Sequence, residues 1–285
     1  MSFRFIHCSD IHLLDLTGVR PWRFFNKRLT GGVNLALKRR RMHSDALFDQ
    51  IIEHARARKA DRLIVTGDLT NLALEAEFEL VKRRLGEAGV AVTVIPGNHD
   101  AYTKGSVRSR RFETYLSGFM EGERASGADY PFVQRFPGVG LVGLSTAVAT
   151  LPLFATGTLG DAQLGRLAKI LDALKREGRA RIVLIHHPVM PGVSKARHDL
   201  LDLAGFGAVI ERHGAELILH GHEHKHIEGV LPGPEGPALV HGVGSGTCLS
   251  LKPGREGAFT YFEVAPGTIE KQHYVWRGAS FERAE

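Results

Sequence analysis

The chain is a succession of short apolar runs, each stopping at a cluster of polar residues. Phe3 to Cys8 reads as a strand ending at Ser9-Asp10-Ile11-His12, Arg62 to Thr66 as one ending at Gly67-Asp68, and Val90 to Ile95 as one ending at Pro96-Gly97-Asn98-His99-Asp100. Later runs repeat the plan: Arg181 to Ile185 stops at His186-His187-Pro188, and Glu216 to Leu219 at His220-Gly221-His222-Glu223-His224. Between the runs, apolar residues recur at helical spacing. Leu47, Ile51, Ile52 and Ala55 follow Ser44, predicting a helix capped by that serine; Leu164, Leu167, Leu171 and Leu174 follow Asp161 in the same way. Further helices are expected over roughly Leu74 to Leu85 and Leu200 to Arg212. Near the C-terminus, Ala238 to Val243, Phe259 to Val264 and Ile269 to Trp276 look like antiparallel strands, and Pro232 to Pro237 like a turn. Together these predict an α/β fold: a four-layer α-β-β-α sandwich of two mixed sheets flanked by helices, with polar loops gathered where strands end. One domain over residues 1–285 is expected, with an insert at about 16–44.

Composition narrows the setting. Hydrophobic residues at 43% and charged residues at 24% are ordinary for a globular chain and exclude large-scale disorder. Cys8 and Cys248 are too few for a disulfide framework and fit a reducing compartment. Met1 to His7 lacks the apolar core of a signal peptide, and no later stretch approaches the roughly 20 apolar residues of a membrane span. A cytoplasmic address follows as the expectation. The net charge of +6 is local: Leu16 to Ser44 holds eight Lys or Arg and no Asp or Glu, and without its +8 the chain stands at −2. A local basic segment implies a local anionic partner.

Each polar cluster alone has a bland reading. Asp-x-His after a strand is commonly a cap or loop, Gly67-Asp68 a turn, and Asn98 and His99 turn residues. His186 alone would be a hydrogen-bonded core histidine, while alternation would put His220, His222, His224 and His226 on one side, as a merely solvated face also would. Five such clusters at five strand ends, able to converge on one rim, change that picture. Imidazole, carboxylate and amide oxygen suit Zn, Mn or Fe(II), and the lack of clustered thiolates argues against iron–sulfur or Cys-rich zinc sites. Two adjacent cations need a shared anion between them, which an aspartate such as Asp68 can supply.

In this order, Asp10-x-His12, Gly67-Asp68, Gly97-Asn98-His99-Asp100, His186-x-Pro188 and Gly221-His222-x-His224 resemble the calcineurin-like metallophosphoesterase superfamily over residues 3 to about 265. The resemblance implies that Asp10, His12 and His224 bind one of two divalent metals (Mn, Fe or Zn), that Asn98, His186 and His222 bind the other, and that Asp68 bridges. It implies that His99 is not a ligand but faces the substrate phosphate beside Asn98, so that His99 and Asp68 are the catalytic pair. The implied reaction is in-line hydrolysis of a phosphodiester or pyrophosphate by a metal-bound hydroxide. His187 matches no ligand position and is expected to support a ligand or lie at the surface; His220 and His226 are expected to be non-ligands that can orient a ligand ring.

Departures within the superfamily are informative. Asn71 stands where purple acid phosphatases place a tyrosine ligand, and Gly67 to Leu72 lacks the continuation seen in protein Ser/Thr phosphatases. Ser9 to Leu13 and Gly67 to Glu79 resemble the bacterial phosphodiesterase branch that includes class III cyclic-nucleotide phosphodiesterases. Phe25 to Asn34 with Arg39-Arg40-Arg41 is similar to an insert in UDP-2,3-diacylglucosamine pyrophosphatase-like relatives acting at the membrane. Arg20, Trp22, Arg23, Phe24, Phe25, Lys27 and Arg28 would suit peripheral contact with anionic lipid, with nucleic-acid stacking or a plain structural loop as alternatives. Lys104, Arg108, Arg110 and Arg111 read as a basic surface helix or as contacts to a second phosphate substituent. A non-catalytic scaffold and a nuclease are the competing functions; seven filled ligand positions oppose the first, and the absence of a recognisable capping domain opposes the second.

Overall fold

The computed structural model describes residues 2–25, 27–29, 42–125 and 127–284. The part of the insert carrying Arg39, Arg40 and Arg41 lies outside them, as does Asn26. In chain order the strands and helices are β1 (Phe3–Cys8), α1 (Asp45–Ala57), β2 (Arg62–Thr66), α2 (Glu75–Gly86), β3 (Val92–Ile95), α3 (Lys104–Arg108) and α4 (Arg111–Leu116). Next come β4 (Glu123–Arg124), β5 (Phe132–Phe136), β6 (Val139–Gly143), α5 (Asp161–Arg176), β7 (Ala180–Leu184), α6 (Leu203–His213) and β8 (Leu217–His220). The chain ends with β9 (Ile227–Leu231), β10 (Ala238–Gly242), β11 (Ala258–Ala265), β12 (Thr268–Trp276) and β13 (Phe281–Arg283).

Two mixed sheets result, as expected, ordered β13-β12-β11-β1-β2-β3 and β4-β5-β6-β7-β8-β10-β9. Strand periodicity decides which residues meet between them. Phe3, Phe5 and His7 of β1 turn one way: Phe3 stacks on Phe136 of the second sheet at 4.7 Å, and the His7 ring lies 5.9 Å from that of His241. Leu141, Ile182, Leu184, Leu217 and Leu219 meet them from the second sheet in one buried cluster. The alternate residues Val142, Val183 and Ile218 turn outward and pack with Leu167, Leu171, Phe206 and Ile210 of α5 and α6.

Local details depart from expectation. Ser44 occupies the cap position of α1, but its side chain makes no capping bond; the helix entrance is held instead by the Ser44 amide donating to Thr247 O at 2.9 Å. Asp161 is the first helical residue of α5, and Gly160 is the cap. The reason is the fourth predicted helix: Asp202, at its start, accepts from the amides of Leu159 and Gly160, each at 2.7 Å, so a neighbouring helix supplies the anion at that entrance. That helix accordingly begins at Leu203 rather than Leu200. β5, β6 and β9 are not among the predicted strands: β6 pairs parallel with β7, β5 antiparallel with β6, and β9 antiparallel with β10.

Candidate metal centre

Sequence neighbours of β1, β2, β3, β7 and β8 emerge at one rim, and the backbone there is unusual. Asp10, His12, Asp68, His222 and His224 take left-handed φ of 54, 45, 53, 73 and 50°. Such backbone costs a non-glycine residue energy and persists only where surroundings hold it, typically at functional sites. It also corrects the alternation expected at His220 to His226. Because His222 and His224 leave extended geometry, the four rings diverge instead of sharing one side.

The rim divides around Asp68. On one side His12 Nε2 lies 3.9 Å from Asp68 Oδ2, 3.9 Å from Asp10 Oδ1 and 3.2 Å from His224 Nε2, while His224 Nε2 lies 3.2 Å from Asp10 Oδ1. On the other, His186 Nε2 lies 3.4 Å from Asp68 Oδ1, 3.1 Å from Asn98 Oδ1 and 3.3 Å from His222 Nδ1. All seven sequence-predicted ligand positions are thus brought together, and Asp68 turns one oxygen to each group.

Hydrogen bonding on the far side of each ring shows what the facing atoms are. His12 Nδ1 donates to Thr70 O at 3.3 Å, His186 Nδ1 to Thr66 O at 2.8 Å, and His222 Nε2 to His198 O at 2.9 Å. A carbonyl only accepts, so these nitrogens carry protons and the opposite nitrogens of the neutral rings carry lone pairs. Burial holds His186 and His222 below the ordinary imidazole range, which keeps them neutral. Lone pairs therefore face lone pairs and carboxylates, and the buried Asp10 Oδ1 has no hydrogen-bond partner among the described residues. Donor atoms sharing a cation at bonds of about 2.1 Å sit about 3 to 3.5 Å apart, so the donor set fits a pair of divalent ions.

Residues that are not themselves ligands hold this rim. Asp100 accepts from the amides of Gly97, Leu69 and Thr70 at 2.9, 3.2 and 2.9 Å and from Thr70 Oγ1 at 2.9 Å, tying the loops after β2 and β3 together. Glu77, buried in the first turn of α2, accepts from the amides of Asn71, Leu72 and Leu74. Gly97 and Gly221 are required by proximity: a Cβ on Gly97 would strike Asp68 Oδ1, and one on Gly221 would strike Ser9 Oγ and Asp10 Oδ2. His99 lies at the same rim, its Nδ1 donating to Asn71 O at 2.6 Å and its ring stacking on Tyr102 at 5.3 Å. His43 was missed by sequence reasoning; its ring lies 5.3 Å from that of His12, and only its place in the basic segment could have drawn attention to it.

The remaining expectations divide. His187 is fully buried, bonded to Thr146 Oγ1 at 2.7 Å with its ring 4.3 Å from that of His222, so it is not a surface residue; burial takes its pKa to about 3. His220 bonds to Gly221 O and His226 to Glu228, so neither hydrogen-bonds a ligand ring. In the basic segment, Arg23 pairs with Glu75, Lys27 reaches Thr150 Oγ1 at 2.7 Å, and Arg28, 4% exposed, donates to Leu72 O and Ala73 O. Phe24 packs on the core, leaving Arg20, Trp22 and Phe25 as the outward part. Lys27 Nζ also sits 4.9 Å from the Tyr102 ring centroid, which brings the segment to the site. Arg110 pairs with Asp129 and Arg111 with Glu75, while Lys104 and Arg108 are exposed on α3. No helix among the described residues is long and apolar enough to cross a membrane.

Comparison with known proteins supplies a family and a fold. The sequence profile described as calcineurin-like phosphoesterase matches residues 3–226. The 3′,5′-cyclic adenosine monophosphate phosphodiesterase CpdA of Vibrio vulnificus is 26% identical over 227 residues, covering 78% of this chain and 74% of that protein. A probable glycerophosphodiester phosphodiesterase, GpdQ, of Arcobacter nitrofigilis is 31% identical over 130 residues, covering 46% of this chain and 42% of that protein. Among solved structures, a dimetal phosphatase from Danio rerio superposes with a TM-score of 0.66 at 14% identity, over 99% of this chain and 98% of its own. A purple acid phosphatase from yellow lupin gives 0.63 at 13%, over 96% of this chain and 52% of its own. At these identities the structural likenesses concern the fold alone.

Proposed function

Because the chain belongs to the calcineurin-like phosphoesterase family of metal-dependent phosphoester hydrolases, we propose that it hydrolyses phosphodiesters at the two donor groups around Asp68. The supporting observation is that carboxylate's division, one oxygen toward His12 and the other toward His186. Asp10, His12 and His224 hold one divalent cation and Asn98, His186 and His222 the other, with Mn, Fe and Zn all suited to this mixed set. Bound there, two such cations acidify water and neutralise charge developing on the phosphoryl group. His99 contributes from the protein side. Its Nδ1 donates to the Asn71 carbonyl, which fixes the ring, and the opposite nitrogen, Nε2, would donate to a phosphoryl or leaving oxygen when the ring is charged. Tyr102 stacks on the His99 ring, and Lys27 Nζ lies over the Tyr102 ring.

The relatives' names support a diester over a monoester, and a nucleotide or nucleotide-linked compound is the substrate class proposed. A lipid-linked nucleotide is favoured by a specific feature: Trp22, Phe25, Leu151 and Leu153 are exposed on the two segments that Lys27 joins beside Tyr102. Turnover of Mn-reconstituted protein on a model diester, the matching monoester, cyclic AMP and UDP-diacylglucosamine tests both readings. The diester should exceed the monoester at least tenfold; preference for the monoester refutes the proposal, and hydrolysis of cyclic AMP without UDP-diacylglucosamine refutes the lipid variant.

A further inference from the structure

A second histidine cluster lies between the sheets, away from Asp68. Thr260 of β11 stands directly opposite His7 of β1 and His273 of β12 in the strand register, so the three form a row across one sheet. From the facing sheet comes His241 of β10, opposite Glu228 of β9, and His226 enters just before β9. Ring centroids are 4.0 Å apart for His226 and His273, 5.1 Å for His226 and His241, and 6.1 Å for His241 and His273. One ligand nitrogen from each ring falls within 4.8 Å of the others.

We infer that His226, His241 and His273 form a separate mononuclear site for a zinc-class divalent cation, with Glu228 beside it, that staples the β9–β10 edge of one sheet to β12 of the other. The observation pointing to a cation is His241 Nδ1, which is buried and lacks a hydrogen-bond partner among the described residues; Glu228 Oε1 is 3.6 Å away. An unsatisfied buried nitrogen is costly, and a cation satisfies it. Thr260 Oγ1 lies 2.8 Å from His241 Nε2 and 2.8 Å from His273 Nδ1. Where Thr260 Oγ1 accepts from both ring N–H groups, the opposite nitrogen of each neutral ring is left with its lone pair turned to the cluster, the arrangement in which both rings can bind a cation. Burial takes His241 to about 4 and His273 to about 3, so both are neutral at physiological pH.

Glu228 Oε1, 3.0 Å from His226 Nε2, supplies negative charge. Lys271 Nζ holds the same oxygen at 2.6 Å, and its exposed side chain can turn to solvent when a cation arrives. His226 and Glu228 face solvent and give an entry path. Zinc–nitrogen bonds of about 2.0 to 2.1 Å place donors about 3.3 Å apart, so closure needs roughly an ångström of ring movement. Three imidazoles with no thiolate and one carboxylate select zinc-like ions over Mg or Ca.

The test is metal stoichiometry and affinity on the metal-stripped full chain titrated with Zn²⁺, compared with His226→Ala. His226 is exposed and takes no part in hydrolysis, so the variant should fold and keep its turnover with a model diester. Wild type should bind one equivalent more than His226→Ala, or bind its last equivalent at least tenfold more tightly. Co²⁺ titration should show a tetrahedral-type absorption band in wild type that the variant lacks. Equal stoichiometry and affinity in the two proteins, or identical Co²⁺ spectra, overturns the inference. Because the readout is the difference of one site, it does not depend on whether the Asp68 centre proves dinuclear.

Discussion

The two histidine-rich regions are made of similar side chains and built in opposite ways. Around Asp68 the donors sit on loops just past strand ends, five of the seven on left-handed backbone. Around His241 they sit on or beside regular strands, and their convergence comes from how two sheets face each other. Loops can be strained to aim a side chain, at a cost borne by the framework; strands aim by register alone. The Asp68 rim accordingly needs a dense backing of Asp100, Glu77, Gly97 and Gly221, whereas the second cluster is backed by Thr260 within the sheets and by Glu228 at its solvent edge.

The contrast can be broken most severely at Asp68. Asp68→Ala should lower turnover at least ~1,000-fold and lose at least one metal equivalent, since neither cation keeps its shared anion. His99→Ala should retain full metal content yet lose ~100- to 1,000-fold in turnover, the loss expected for one transition-state donor. Turnover and metal analysis of both purified variants decide; near-normal turnover in either defeats its assigned role. A smaller effect is expected one layer out. Asp100→Asn keeps the size of the side chain but turns one acceptor oxygen into a donor facing amides, and it should cost ~10- to 100-fold in turnover or metal affinity through misplacement of Gly97 and Thr70. If turnover and affinity both stay within twofold of wild type, the strained loops need no such support.

The first region was legible in sequence because each of its parts is local. Asp10 and His12, or His222 and His224, lie two apart, and the strand before each is a plain apolar run, so motif and placement were read together. The backing was harder to read. Asp100 stood within a recognised motif, but its grip on Leu69 and Thr70 depends on β2 pairing with β3. The second region could not be read at all, because residues 226, 241 and 273 have no sequence relation until β9, β10 and β12 are paired and the sheets stacked. The basic segment is a third case. Charge was counted, but Arg23, Lys27 and Arg28 find their partners in Glu75, Thr150 and two backbone carbonyls within the chain.

Thr260→Val gives the finest division between the regions. Valine matches the shape of threonine but removes the hydroxyl that hydrogen-bonds both His241 and His273, so two buried ring nitrogens lose their partner, at about 1 to 3 kcal/mol of stability each at most. If the second cluster is only a hydrogen-bonded knot, that cost should be the same with and without zinc. If it is a metal site, the rings also lose their orientation, and zinc affinity should fall ~10-fold or more. Zinc binds the folded state, so weaker binding shrinks the rise in Tm that zinc produces at fixed concentration. The expected result is therefore a lower Tm for the stripped variant, a smaller zinc-induced rise than in wild type, and unchanged hydrolysis of a model diester. An unchanged zinc-induced rise would place Thr260 outside any metal site and return the cluster to the knot.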